Sequence, residues 1–254
     1  MADDEVAVVT GSGSGIGAAL AVELASRGVG VVLVGRRRAP LERTLSRFGA
    51  GEVGWVIAAD IASPRGREAV VTATDQCLHE TGRCLRYLVH NAGLGDPASD
   101  FQAMASEALR EALEVNVIAP LALTQQLQPT LALSCDARVL MVGAGIADRP
   151  QPGTGSYGIS KKALERLFEQ MQVDWAREAI HSPSLALFQP GLVKTEGLEA
   201  HVTAAEAMML PHADYLREAL ASGRYQDADS VAAAMADALM TLPTDRFHGA
   251  TLRP

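Results

Sequence analysis

The chain is poor in cysteine and aromatics and has no long run of basic residues. Its 254 residues include three cysteines, Cys77, Cys84 and Cys135, an odd count without zinc-type spacing. That excludes a disulfide framework and a thiolate metal centre, and leaves the reduced thiols of an intracellular protein. The six His are scattered, and no metal site is expected, because a zinc site needs several ligands at recognisable spacing. Lys and Arg number 22 against 30 Asp and Glu, a net charge of −8, so an electrostatic surface for nucleic acid or membrane is not expected. Small molecules or other subunits are the expected partners. The opening "MADDEVAVVT" is acidic where a secretory segment needs positive charge, and a Gly/Ser stretch breaks the apolar run behind it. No targeting signal is therefore expected, and the location should be cytoplasmic.

Hydrophobic residues make up 48% of the sequence, enough to bury a substantial core in a single domain spanning 1–254. Short β-branched runs, "EVAVVT" at 5–10, "VVLVG" at 31–35, "VGWVIA" at 53–58, "LRYLVH" at 85–90, "RVLMVG" at 138–143 and "SLALFQ" at 184–189, alternate with Ala/Leu-rich segments of helical length. Parallel strands need crossover connections, and strands covered on both faces read as continuous apolar runs. The order predicts a Rossmann-type, doubly wound parallel sheet in a three-layer α/β/α arrangement. "GATLRP" is a candidate seventh, edge strand. Residues 196–226 form a long insertion after the sixth strand, beyond the carboxyl ends where ligands bind in open α/β sheets. It is a candidate lid or substrate wall, or a pair of surface helices; Met208, Met209, Leu210 and Tyr215 within it line an apolar pocket or form helix core.

"TGSGSGIG", Thr10 to Gly17, follows the first strand and leads into a helix expected near Ala18. Gly11, Gly15 and Gly17 permit a tight turn and close approach to a pyrophosphate, whose charge meets the amides at the helix start. This spacing resembles the TGxxxGxG of the short-chain dehydrogenase/reductase family. "AADI" at 58–61, "HNAG" at 90–93, Asn116 in "EVNV", and Tyr157 with Lys161 follow in the family's order over nearly the whole chain. The resemblance implies a nicotinamide-dependent oxidoreductase acting on a small carbonyl or alcohol, and a homodimer or homotetramer. It implies dinucleotide contacts from Ser12, Ser14 and Ile16 in the glycine loop, Asp60 and Ile61 at the adenine, and Asn91, Ala92 and Gly93 along the dinucleotide. Pro190, Gly191, Val193 and Thr195 in "QPGLVKT" resemble the loop over the nicotinamide. At the end of the second strand Gly35 stands where an NAD enzyme typically has an acid, and Arg36, Arg37 and Arg38 follow. An Arg fork suits a 2′-phosphate, so NADP(H) is the expected cofactor, with one of the three Arg a solvated helix entry.

Tyr157 and Lys161 are four apart, so a helix over "SYGISKKALERLFEQM" puts them on one face. A neighbouring ammonium is expected to stabilise the phenolate and bring Tyr157 toward the pH at which general acid–base catalysis works best. The resemblance implies that Lys161 also holds the nicotinamide ribose and that Asn116 supports a relaying water. The family usually has a Ser about thirteen residues before the Tyr, the position of Ala144 in "VGAGIA". Between Ser134 and Ser156 the only hydroxyl side chain is Thr154. Loss of one donor to the substrate oxygen typically costs ~10² to 10³ in rate, which leaves a reductase with Tyr157 as its acid. Thr154 or an ordered water is the expected substitute, and Ser156 the less favoured one, since adjacent helical residues point about 100° apart. An activated 1,2-diketone needs less help at its oxygen, and "VGAGIA" with "FHGATLRP" is similar to the benzil reductase and sepiapterin reductase-like branch. The alternative is a non-catalytic NADPH-binding sensor or scaffold.

Overall fold

The strands are β1 (Glu5–Thr10), β2 (Gly30–Gly35), β3 (Gly54–Ala58), β4 (Cys84–His90), β5 (Arg138–Val142), β6 (Ser184–Phe188) and β7 (Thr251–Leu252). In the computed structural model, which describes residues 4–95, 98–99, 101–178 and 183–254, they form one parallel sheet in the order β3-β2-β1-β4-β5-β6-β7. Chain direction reverses its progress across the sheet between β3 and β4, so β1 and β4 flank the crevice where such folds bind ligands. "GATLRP" supplies only the two-residue edge strand β7.

Helices cover both faces: α1 (Gly15–Ser26), α2 (Arg38–Leu45), α3 (Pro64–Thr81), α4 (Ser106–Leu113), α5 (Ala119–Leu131), α6 (Gly155–Arg177), α7 (Glu196–Ala207), α8 (Ala213–Ala221), α9 (Ala228–Met240) and α10 (Thr244–Phe247). Strand alternation splits the core in two. Ala7, Val9, Val31, Leu33, Val89 and Leu140 face α1, α2 and α9, while Val6, Val8, Val32, Leu88 and Val139 face α3, α5 and α6. The sequence thus folds as the expected three-layer, doubly wound sheet.

The insertion forms α7 and α8, tied back by a bridge between Val193 and Gln226 and packed on a small cluster of Ala98, Ala205 and Ala213. Among the described residues no helix is long and apolar enough to cross a membrane, and no three His, Cys, Asp or Glu side chains group as a metal site. Positions 96 and 97 lie outside the described residues.

Candidate active site

The helix after the glycine loop starts at Gly15 rather than near Ala18, because Ala18 donates to the Ser14 carbonyl at 3.2 Å and closes the first turn there. The amides of Gly15, Ile16 and Gly17 therefore belong to the first turn, which has no acceptor inside the helix. Ser14 caps that turn in extended backbone without using its side chain. A Cβ on Gly17 would fall 2.3 Å from Asn91 Nδ2 and 2.4 Å from the Gly11 carbonyl oxygen, so only glycine lets the loop close on β4. Thr10, which the sequence reading passed over, joins the two crevice strands: its hydroxyl donates to the Val89 carbonyl and accepts from the amides of Asn91 and Ala92.

One cleft of about 1050 Å³ runs along these strand ends. Most of the expected cofactor contacts line it: Gly11, Ser14, Gly15, Ile16, Arg36, Arg37, Asp60, Ile61, Asn91, Ala92, Gly93, Pro190, Gly191, Val193 and Thr195. Three expected residues do not. Ser12 is fully buried and braces the loop, its carbonyl accepting from the Thr44 hydroxyl at 2.9 Å. Gly17 is packed beneath the loop. Asn116 lies in a π-helical turn, Glu114–Ile118, between α4 and α5, and its side chain exchanges 2.7 Å bonds with the backbone of Leu94 and donates to Ser160 Oγ at 2.8 Å. Of the arginine trio, Arg38 enters α2 and pairs with Glu42 at 3.6 Å, and it is the one that stays off the cleft. The cleft's shape, the first-turn amides of α1 and the arginines past β2 fit a phosphate-rich dinucleotide.

At the other end of the cleft, Tyr157 and Lys161 project from the first turns of α6 beside Ala144. Lys161 Nζ sits 5.7 Å from the Tyr157 ring centroid and donates to the Val142 carbonyl at 2.8 Å. Burial pushes the phenol up to about 12 and the ammonium down to about 8. The expected lowering of Tyr157 is absent, because burial of the phenol opposes its ionisation.

No side chain at 144 offers a hydroxyl to the cleft. Thr154 lines it, but its hydroxyl donates to the Gln151 carbonyl at 2.8 Å, which uses its proton. Ser156, the less favoured substitute, is the reverse: it lines the cleft, is buried, and has no hydrogen-bond partner among the described residues. Sequence offset alone could not find it, since the helix starts at Gly155 and its first turn faces the cleft. The insertion supplies a wall through Leu198, His201, His212, Tyr215 and Leu216. Met208 and Leu210 instead pack on the small cluster between α7 and α8, and Met209 is exposed. His201 and His212, eleven residues apart and scattered by sequence, meet with Nε2 atoms 3.0 Å apart.

The model of the short chain dehydrogenase family matches residues 5–206. The chain belongs to that family. Human dehydrogenase/reductase SDR family member 4 is 31% identical over 195 residues, covering 76% of this chain and 67% of the human protein. The 11-beta-hydroxysteroid dehydrogenase A of Sesamum indicum is 30% identical over 195 residues, covering 76% of this chain and 53% of that relative. The chain thus spans about half the length of one curated relative and two thirds of the other. A Brucella melitensis 3-ketoacyl-(acyl-carrier-protein) reductase complexed with NADH superposes with a TM-score of 0.81 at 25% identity, covering 98% of this chain and 96% of that one. A short chain dehydrogenase from Burkholderia cenocepacia in complex with NADP gives 0.77 at 27%, covering 97% and 94%. The short chain dehydrogenase family thus includes complexes with either nicotinamide dinucleotide among the neighbours of this chain.

Proposed function

We propose that this chain is an NADP(H)-dependent oxidoreductase acting on a small carbonyl or alcohol substrate, with Tyr157 as general acid/base. The observation that carries the reading is that Tyr157, Lys161 and the glycine loop of β1–α1 open into one cleft. The nicotinamide supplies or accepts the hydride. Gly11, Ser14, Gly15 and Ile16 hold the pyrophosphate, Asp60 and Ile61 the adenine, Asn91, Ala92 and Gly93 the span between, and Pro190, Gly191, Val193 and Thr195 the nicotinamide. Arg36 and Arg37 receive the 2′-phosphate. Lys161, whose Nζ donates to the Val142 carbonyl, would hold the nicotinamide ribose beside the phenol. In the reductive direction Tyr157 Oη donates its proton to the carbonyl oxygen as negative charge develops there. Asn116 braces Leu94 against Ser160 and so keeps α6, which carries Tyr157, in register with the end of β4, and it would support a water that relays protons to Lys161. With Ala144 in place of a hydroxyl, an activated substrate such as a 1,2-diketone suits the site, and self-association to a homodimer or homotetramer completes the proposal.

NADPH oxidation in the presence of a 1,2-diketone tests the reading. Tyr157→Phe should lower turnover ~10³-fold with NADPH affinity unchanged, and Ala144→Ser should raise it ~10²-fold. Arg36→Asp with Arg37→Ala should reverse an NADPH preference, and equal affinity of the unaltered protein for NADH and NADPH would remove the cofactor assignment. Ala144 itself favours a second reading, a dinucleotide-binding sensor or scaffold without chemistry. Tight NADPH binding by a protein indifferent to Tyr157→Phe would establish that one instead.

A further inference from the structure

The carboxyl ends of β5, β6 and β7 are neighbours, and each is followed by a side chain that lines the substrate end of the cleft: Arg149, Gln189 and Arg253. Gln189, almost fully buried, donates through Nε2 to Glu165 Oε1 at 3.1 Å and accepts through Oε1 from Arg253 Nε at 3.3 Å and Nη2 at 3.0 Å. Its amide thereby fixes one edge of the Arg253 guanidinium and leaves the Nη1 edge open. The two acids nearby are already engaged, since Lys162 Nζ reaches both Asp148 Oδ1 at 2.6 Å and Glu165 Oε2 at 3.1 Å. Asp148, which also lines the cleft, lies below the usual carboxylate range, first through its Lys162 hydrogen bond, with Arg149 and Arg253 adding to it, so both guanidinium groups lie in the neighbourhood of that carboxylate. Neither Arg149 nor Arg253 has an ion-pair partner among the described residues. The arginines suited to the dinucleotide, Arg36 and Arg37, follow β2, on the far side of β1 and β4.

We propose that Arg149 and Arg253 form an anion subsite, and that the substrate is a keto acid whose carboxylate they receive while its carbonyl faces Tyr157. This rests on the reading of Tyr157 as the acid for a carbonyl substrate. The Arg253 guanidinium, fixed on one edge, presents donors that match carboxylate oxygens, and together with Arg149 in an otherwise acidic chain it focuses anions into the cleft. Ile146, Leu192 and Leu198, which also line the cleft, would flank the carbon chain between the two ends.

Phenylglyoxylate and its methyl ester share the reacting ketone and differ in charge. Their binding to the NADP⁺-saturated protein by calorimetry needs no turnover, and NADPH oxidation with each reports on chemistry separately. The acid should bind about 10-fold more tightly than the ester, and the difference should shrink below about 2-fold in Arg149→Gln/Arg253→Gln and in high salt. Unchanged NADP⁺ affinity of that double variant establishes that it is folded, and Arg149→Gln alone serves if it is not. Equal or tighter binding of the ester, no measurable binding of the acid, or an acid preference that survives the substitutions would overturn the subsite. An acid preference without oxidation of NADPH by either compound sustains the subsite and removes the reductase reading.

Discussion

Tyr157 is set by what packs on its ring as much as by the helix that bears it. A Cβ on Gly95 would fall 2.8 Å from Tyr157 Cδ2 and 3.0 Å from its Cγ, so the loop after β4 touches the ring face directly. Gly95→Ala should push the phenol aside and reduce turnover ~10²-fold, since small misplacements of a reacting group are that costly, while NADPH affinity and melting temperature stay near those of the parent. Steady-state kinetics beside a thermal melt checks this. Ser156 acts at the same scale. It holds the free hydroxyl nearest in sequence to the phenol, and Thr154 has spent its proton on Gln151.

Among the elements, the α7–α8 pair has a pH response of its own. Burial holds His201 and His212 below the usual imidazole value, and for His201 the neighbouring ring adds to the effect. Both are therefore neutral near pH 7 and share one proton across their 3.0 Å contact. Because the unfolded segment binds protons more readily, the pair's contribution is complete above the ordinary imidazole pKa of ~6.5 and declines as pH falls below it. An ion pair of Arg217 with Glu206 also joins the two helices, and Arg217 pairs with Asp214 within α8. The protection of the α7 and α8 amides, corrected for the intrinsic exchange rate at each pH, should fall from pH 7.5 to 5.5, and His212→Gln should flatten the fall. Protection that is insensitive to pH in the unaltered protein would exclude the pair as its cause.

For the whole molecule, acid sensitivity centres on His90, buried at the end of β4 and bonded to Thr124 Oγ1 at 2.8 Å. Burial drives it down to about 3. The folded state holds it neutral while the unfolded chain takes up a proton below ~6.5, so stability is complete above that pH and lost as pH falls toward 3, by ~1.4 kcal/mol per unit from this group. Urea unfolding at pH 7, 6 and 5 should show stability falling at least that steeply below ~6.5, and His90→Gln should reduce the slope by one proton. At the opposite ends of the strands, Glu5 accepts from Arg86 and Tyr87, and Asp136 joins Arg86, Arg138 and Thr244. Arg138 also lies over the Phe247 ring at 4.9 Å and donates to the Ala238 carbonyl, so the network ties β1, β4 and β5 to α9 and α10. This end holds the sheet together, and the other is left to the ligand.

Period and order were legible along the chain: six of the seven strands, the glycine loop, and Tyr157 with Lys161 on one helix face follow from local spacing, because backbone geometry alone fixes which side chains share a face. That residue 144 is an Ala, without a hydroxyl, was equally plain. Tertiary structure decided the rest. It brought His201 to His212 across a turn, set Arg253 beside Gln189, buried Ser12 and Asn116 as braces, and raised Tyr157 where sequence reasoning expected it lowered. Such properties depend on which distant segments exclude water around a group, and desolvation is a sum over neighbours in space that spacing along a chain does not encode.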